Sequence, residues 1–166
     1  MRAPLIAAIL LTACLTPHSQ VSDLGNAARA GDAAQIRQLV AKGADPNAPS
    51  GGNQWTPLLH AVHTHRNASV AALLDAGADV NRGTVTPLMM AAGYGFDDTV
   101  RLLLQRGAKT DGALDAALYG VTDIDRFTYF TCQDSTARLL RGAAPTATAS
   151  AGAQRWARIK RCAVRS

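Results

Sequence analysis

Apolar residues recur at helical spacing in three stretches of the chain, which lie 34 and then 30 residues apart. In each stretch a β-branched residue is followed, three and four positions later, by two aliphatic residues. This spacing is typical of one face of an amphipathic helix. The three sets are Ile36, Leu39 and Val40; Val70, Leu73 and Leu74; and Val100, Leu103 and Leu104. A shorter Ala-rich apolar stretch precedes each set, so the pattern predicts three pairs of helices.

Signals for helix starts lie ahead of these apolar stretches. The sequence Thr-Pro-Leu occurs at 56–58 and again at 86–88. Thr56 and Thr86 are good N-caps, and Pro57 and Pro87 suit the first helical position, where a missing N–H costs nothing. Ser22 can cap the first copy in the same way.

Glycines lie where turns are needed. Gly31 and Gly95 permit a tight turn between two antiparallel helices, and His65 replaces glycine there in the second copy. The glycines expected to end the second helices are Gly43, Gly77 and Gly107. Each helix–turn–helix unit is too small to bury its own apolar face, so the units must stack.

The recurring motifs T-P-L, A-A, V-x-x-L-L and G-A-D-x-N resemble the ankyrin repeat. The resemblance implies an all-α solenoid with three clear repeats at about 22–47, 56–81 and 86–111 and a degenerate one at 112–144. It departs from the family pattern at Leu59 and Met89, where histidine is usual. The connection 47–56 has the full length for a finger, whereas 81–86 is about three residues short and predicts a stunted one.

The fourth repeat and the C-terminal end are less regular. Phe127, Tyr129 and Phe130 interrupt the fourth copy, where they would either cover the end of the stack or make a contact. Residues 145–166 predict a linker and a basic amphipathic helix at 153–166. One face of that helix would carry Trp156, Ile159, Cys162 and Ala163, and the other Arg155, Arg158, Arg161 and Arg165. It could cap the stack by docking Trp156 and Ile159, or bind anionic lipid or an acidic partner.

The N-terminal segment has the plan of an export signal, with Arg2 followed by an apolar run from Leu5 to Leu11. That run is too short to span a bilayer. Residues 11–14, Leu-Thr-Ala-Cys, resemble the lipobox of bacterial lipoproteins. The resemblance implies a signal peptide at 1–13, acylation of Cys14 and a tether at 14–21. It places the protein in the bacterial envelope, facing the periplasm from the outer membrane. An ordinary secretory signal with a chance cysteine is the alternative.

The cysteine count predicts a disulfide. Without Cys14, two cysteines remain, Cys132 and Cys162. An exported chain lies in an oxidising compartment, so we expect these two to pair.

Charge is unevenly distributed. The net charge is +5, but residues 14–134 carry nine basic and twelve acidic side chains, a net charge of −3. Seven of the basic residues follow Asp134, the last acidic residue. The overall basicity therefore does not indicate nucleic-acid binding.

Candidate chemistry is sparse. His60, His63 and His65 form the only cluster that suggests a metal, and a zinc site would need further ligands. We expect structural or partner-contact histidines there and no metal. The sequence has no Gly-rich phosphate loop, no G-x-S-x-G motif and no glutamate. We therefore expect no enzyme activity, cofactor or small-molecule substrate.

A binding surface remains as the functional expectation. In ankyrin repeats, partners commonly contact the fingers and the exposed side of the first helices. Carried over by register, this implies Arg29, Asn53, Gln54, Trp55, His63, Thr64, Arg82, Thr84, Val85, Tyr94 and Tyr119. The resemblance implies an envelope-anchored module that binds a periplasmic protein, such as an envelope enzyme or, as an immunity protein, a toxin. The alternative is a membrane-surface or envelope-stress factor acting through the basic C-terminal helix.

Overall fold

The computed structural model describes residues 21–121, 132–160 and 162, and within them it contains nine α-helices and no strand. The helices are α1 (Asp23–Ala30), α2 (Ala33–Ala41), α3 (Pro57–His63), α4 (Asn67–Asp75), α5 (Pro87–Tyr94), α6 (Asp97–Gln105), α7 (Ala113–Tyr119), α8 (Asp134–Ala143) and α9 (Ala151–Ile159). Helices α1 to α8 form four consecutive pairs: the three that the apolar pattern predicts, and a fourth where the degenerate repeat is expected.

The helix starts are capped by the predicted side chains. The Thr56 hydroxyl accepts a hydrogen bond of 3.2 Å from the backbone N–H of Leu59, and Thr86 does the same for Met89 at 3.2 Å. The Ser22 hydroxyl accepts from Gly25 at 3.1 Å. Each bond satisfies a backbone donor that has no partner within its helix. The first helix of each of these three repeats therefore begins at the same repeat position.

The turns between paired helices use left-handed backbone conformations. Gly31 has φ of 88° and Gly95 has φ of 75°. His65, which occupies this position in the second repeat, has φ of 54°, a value uncommon outside glycine. The glycines that end the second helices are also left-handed, namely Gly43, Gly77 and Gly107. The predicted turn positions are therefore confirmed.

The core lies between successive pairs. Helices α1, α3, α5 and α7 pack on one another as one layer, and α2, α4, α6 and α8 form the second. The predicted apolar sets supply fully buried side chains to this core, including Ile36, Val70, Leu73, Val100 and Leu103. Burying each such side chain stabilises the stack by about 1.5–3 kcal/mol.

An asparagine side chain joins each of the first two repeats to the next one. The Asn47 amide donates to the Gly77 carbonyl at 3.1 Å, and its oxygen accepts from the Asp79 N–H at 2.7 Å. Asn81 makes the same pair of bonds, to the Gly107 carbonyl at 3.4 Å and from the Lys109 N–H at 2.8 Å. These bonds explain the asparagine of the recurring G-A-D-x-N motif.

A second link joins consecutive second helices. The hydroxyl of Thr99, the third residue of α6, donates to the side chain of Asn67, the first residue of α4, at 2.6 Å. Thr136 in α8 donates to Asp97 in α6 in the same register. Ser69 is the third residue of α4 and is fully buried, but its hydroxyl has no hydrogen-bond partner in the structure.

The fourth pair lies where the degenerate repeat was predicted, and a disulfide joins the segment just before α8 to the segment after α9. Cys132 and Cys162 are bonded, with their Cα atoms 5.5 Å apart, which is the pair that the cysteine count indicates. The predicted covering role of Phe127, Tyr129 and Phe130 concerns residues outside the described ranges.

The C-terminal helix differs from the prediction in its bounds and in its docking face. Helix α9 starts at Ala151, capped by Ser150, and ends at Ile159, before Cys162. It packs on α7 and buries its alanines Ala153 and Ala157. Ile159 is 65% exposed, so the capping alternative is wrong for this residue. Alanines let two helices approach closely, and a larger side chain on that face would hold them apart.

None of the helices in the described part of the chain is long and apolar enough to cross a membrane.

Candidate partner-binding surface

The connection between the first two repeats forms a hairpin finger. The Ser50 N–H donates to the Trp55 carbonyl at 2.9 Å, and the two residues form an isolated antiparallel bridge. The Gln54 side chain donates to the Gly51 carbonyl at 2.8 Å and closes the exposed tip. Residues 81–86, all within the described ranges, form no such bridge, as their shorter length predicts.

Six rings form a continuous series from this finger along the first helices. We call this set the ring series: Trp55, His60, His63, His65, Tyr94 and Phe96. The series joins the second repeat to the third, because Tyr94 and Phe96 come from the third repeat and the other four belong to the second repeat or the finger before it. We call the surface formed by the connections 47–56 and 81–86 and by the exposed sides of α1, α3 and α5 the first-helix surface. The ring series lies along it.

Ring distances within the series are those of direct contact. The Trp55 ring lies 5.0 Å from His63 and 5.6 Å from His60, measured between centroids. His63 meets Tyr94 edge to face at 5.6 Å. Aromatic pairs at such separations contribute about 0.5–1.5 kcal/mol beyond their buried area. The half-buried Trp55 and Tyr94 are thus held in place by their neighbours before any partner binds.

The far end of the series is tied to a carboxylate. His65 stacks on Phe96 with 4.0 Å between centroids, and its Nε2 lies 2.8 Å from the Asp98 carboxylate. The hydrogen bond from His65 is the main reason that the pKa of Asp98 is lowered. Asn67 also donates to this carboxylate, at 2.6 Å. Two side chains of the second repeat therefore fix the start of α6 in the third.

His60 is the buried member of the ring series and is only 6% exposed. Burial lowers its pKa from 6.5 to about 4, and the nearby positive charge of Arg29 acts in the same direction. A hydrogen bond with the Ser50 backbone raises the pKa but is outweighed, and His63 lowers it slightly further. His60 is therefore neutral at pH 7.

Two hollows lie beside the finger. The first, of about 400 Å³, is lined by Asn53, Gln54, Trp55, Leu59, Gly83, Thr84 and Val85. The second, of about 260 Å³, is lined by Val21, Arg29, Ser50, Gly51, Gly52, Asn53, Trp55, His60 and His63. The described residues of both linings include Arg29 and no acidic side chain, so the surface offers rings, amides and a cation.

Eight of the eleven residues predicted to bind a partner come together on the first-helix surface. They are Arg29, Asn53, Gln54, Trp55, His63, Thr84, Val85 and Tyr94. The other three, Thr64, Arg82 and Tyr119, line neither hollow and take no part in the ring series. The Thr64 hydroxyl donates to the His60 carbonyl at 2.9 Å, and Tyr119 contacts Trp156 at 5.7 Å.

Three residues of the ring series are absent from the predicted binding set: His60 and His65, for which a structural or partner-contact role was expected, and Phe96. His65 was also expected to form a turn, because it stands where the other repeats have glycine. Phe96 directly follows the corresponding glycine, Gly95, in the next repeat. Ring-bearing residues at matching turn positions of adjacent repeats are the signal that would have identified the pair.

The histidine cluster offers no metal site in the part of the chain that the structure describes. No group of three or more His, Cys, Asp or Glu side chains there is placed to hold a metal ion. His60 packs against Trp55, His63 against Trp55 and Tyr94, and His65 against Phe96. The arrangement suits contact with a protein surface.

Stacked helix pairs with a projecting finger and a ring-lined first-helix surface define a helical repeat protein. Comparison with protein families agrees, since the family described as "Ankyrin repeats (3 copies)" matches residues 24–112, more than half of the chain. The chain belongs to the ankyrin-repeat family. Ankyrin repeats are protein–protein interaction modules and are typically not enzymes, so the chain carries such a module.

Two relatives show how far the similarity extends. The chain is 41% identical over 73 residues to the 2-5A-dependent ribonuclease of Mus musculus, which is 42% of this chain and 10% of that protein. The crystal structure of the human ASB11 ankyrin repeat domain matches with a TM-score of 0.57 and 26% identity, covering 75% of this chain and 55% of that one. The chain thus spans about a tenth of the mouse protein, and the match concerns the repeats.

Proposed function

We propose that this protein is a non-catalytic binding protein of the bacterial envelope. It holds a periplasmic protein, such as an envelope enzyme or a toxin that it neutralises, on its first-helix surface. Acylated Cys14 anchors it to the outer membrane, and the tether 14–21 spans at most about 25–30 Å. The repeats would then act close to the membrane.

The ring series is the observation that supports this proposal. Trp and Tyr, together with Arg, are the residue types that dominate binding energy when a partner buries them. Rigid rings also lose little conformational entropy on binding, because they have few rotatable bonds. Trp55 and Tyr94 are already held by His63 between them, which lowers the cost of ordering them further.

Site-specific photo-crosslinking in intact cells tests the surface. A photoreactive amino acid replaces Gln54 or Thr84, which are exposed beside the first hollow. The matched controls place it at Arg37 or Arg101, exposed residues of the second helices α2 and α6. We expect a crosslinked protein, identified by mass spectrometry, from positions 54 and 84 only.

The double variant Trp55→Ala/Tyr94→Ala then tests the rings themselves. We expect it to reduce the crosslinked product at least about tenfold, since a single buried aromatic anchor contributes about 2 kcal/mol or more to binding. The double variant Arg37→Ala/Arg101→Ala should leave the yield unchanged. Equal crosslinking from the second helices, or full yield without the two rings, would contradict the proposed surface.

The anchor has a separate test, which does not depend on the binding surface. Cells fed an alkyne-labelled fatty acid should label the wild-type protein and not a Cys14→Ser variant. The variant should also move from the membrane fraction to the soluble periplasmic fraction. Unchanged labelling of Cys14→Ser would refute acylation at this residue.

A further inference from the structure

The C-terminal helix exposes an apolar face for which the sequence pattern left two roles open, capping the stack or binding lipid or an acidic partner. Ala153 and Ala157 pack against α7. The neighbouring face of α9, formed by Gly152, Trp156 and Ile159, therefore lies at the side of this contact and lines a groove between α9 and α7. These positions follow the i, i+4 and i+7 spacing of one helix face. Ile159, 65% exposed, lies at its outer end.

A residue of the last repeat extends this face into a patch. Tyr119 of α7 is 37% exposed, and its ring meets Trp156 edge to face at 5.7 Å between centroids. Tyr119, Trp156 and Ile159 together line a groove of about 490 Å³. We call these three residues the C-terminal patch. Trp and Tyr are enriched where a protein meets a membrane interface, because they combine an apolar ring with a polar group.

Two cations lie beside the patch. Arg155 lines the same groove, and the Lys160 ammonium lies 5.2 Å from the Trp156 ring. Arg158 is exposed but lines a different hollow, with Leu114 and Arg141. One carboxylate, Asp115, lines the groove, and it accepts a hydrogen bond of 2.8 Å from the Ser150 N–H. The chain has no acidic residue after Asp134. The patch is therefore apolar at its centre and positive at its edge.

We propose that the C-terminal patch docks on an anionic lipid surface, independently of the first-helix surface. Ile159 and the Trp156 ring enter the headgroup region, while Arg155 and Lys160 pair with lipid phosphates. An interfacial helix needs this combination of apolar insertion and positive charge. An acidic protein would pair with the cations but would not give the exposed Ile159 an apolar environment. A lipid surface does both, so it fits the patch better.

Trp156 fluorescence reports on this contact within the full-length chain. The chain has two tryptophans, so Trp55→Phe leaves Trp156 as the only one. Vesicles of phosphatidylglycerol and phosphatidylcholine in equal amounts are titrated in, with pure phosphatidylcholine vesicles as the comparison. We expect a blue shift of Trp156 emission with the anionic vesicles only, and quenching when brominated lipid is included. Binding through the N-terminal segment alone would leave the emission of Trp156 unchanged.

Matched variants separate the contributions of charge and insertion. Each cation near an anionic surface strengthens binding about fivefold, so Arg155→Gln/Lys160→Gln should raise the half-saturating lipid concentration about 25-fold. Arg37→Gln/Arg101→Gln removes the same charge from the second helices and should change it little. Ile159→Ser should weaken binding at least about fivefold, and Ile159→Leu should restore it. Circular dichroism confirms folding, which exposed substitutions should not disturb.

Three results would overturn the proposal. The first is an unchanged Trp156 emission with anionic vesicles. The second is an equal blue shift of Trp156 emission with neutral vesicles. The third is a response to poly-glutamate without a response to vesicles, which would indicate an acidic protein as the partner of this patch.

Discussion

The junction between the first and second repeats differs from the junction between the second and third in two buried positions. Both junctions share the asparagine link, through Asn47 and Asn81. The second junction buries Met90 where the first buries His60. The second also has the hydrogen bond from Thr99 to Asn67, whereas at the first the Ser69 hydroxyl has no partner.

The missing bond has a simple cause in the sequence. The acceptor of this bond belongs to the first residue of a second helix. That residue is Asn67 in α4 and Asp97 in α6, but Ala33 in α2. Ala33 has no polar side chain, so Ser69 is buried without its acceptor. Since the stability of a repeat stack is approximately a sum of repeat and junction terms, the first junction should be the weaker one. The first repeat should therefore separate from the stack more readily than the others.

Of the changes that we predict, acidification should have the largest effect on the difference in stability between the two junctions. The pKa of folded His60 is about 4 and that of an unfolded histidine about 6.5, so the unfolded chain binds an extra proton between these values. Stability is therefore lost as pH falls from about 6.5 to 4, by about 2–3 kcal/mol. His60→Met, which copies Met90, should remove this loss. Urea unfolding at several pH values measures it.

The reciprocal variant sharpens this test. Met90→His places a histidine at the second junction and should introduce a similar loss of stability on acidification. Carboxylates contribute equally to all of these proteins and cancel in the comparison. If wild type and His60→Met lose the same stability between pH 6.5 and 4.5, burial of a neutral His60 does not control the first junction.

The hydrogen bond at the second junction gives the next largest effect. Asn67→Ala leaves the fully buried Thr99 hydroxyl without an acceptor and also removes the exposed bond to Asp98, which together should cost about 1–3 kcal/mol. Ser69→Ala removes the corresponding hydroxyl from the first junction, where it has no partner, and should change stability by less than about 0.5 kcal/mol. Denaturant midpoints at constant m-value measure both. Equal losses in the two variants would show that the junctions do not differ in this bond.

The smallest effect is a gain. Ala33→Asn should supply the acceptor that Ser69 lacks and stabilise the protein by about 0.5–1 kcal/mol. The gain should disappear in Ala33→Asn/Ser69→Ala, because the added amide then has no hydroxyl to pair with. Thermal unfolding of the two variants measures the difference. A gain that survives the loss of the Ser69 hydroxyl would have another origin.

Local signals in the sequence were sufficient for the repeats themselves. Thr56, Thr86 and the left-handed glycines act through contacts within a few residues, so their positions predict the helix bounds directly. Helix α9 was harder, because two overlapping faces satisfy helical spacing there. The larger side chains, Trp156 and Ile159, suggested the docking face, whereas the close approach to α7 selects Ala153 and Ala157.

The first-helix surface was predictable where family register assigns a role, as for Trp55, His63 and Tyr94. The contact of His65 with Phe96 joins residues 31 positions apart and depends on how far one repeat is rotated against the next. That rotation is a property of the packed stack. For the same reason, the exposure of Ile159 and the isolation of Ser69 became visible only in three dimensions.

The bond between Cys132 and Cys162 affects what cleavage of the chain would do. The connection between α8 and α9 is exposed at Pro145, Thr146 and Thr148, where a protease can reach it. A cut there leaves the piece that carries α9 covalently attached to the rest, because the two cysteines lie on opposite sides of the cut. The nicked protein would run as one band on a gel without reductant and as two after reduction, and it would keep its C-terminal helix.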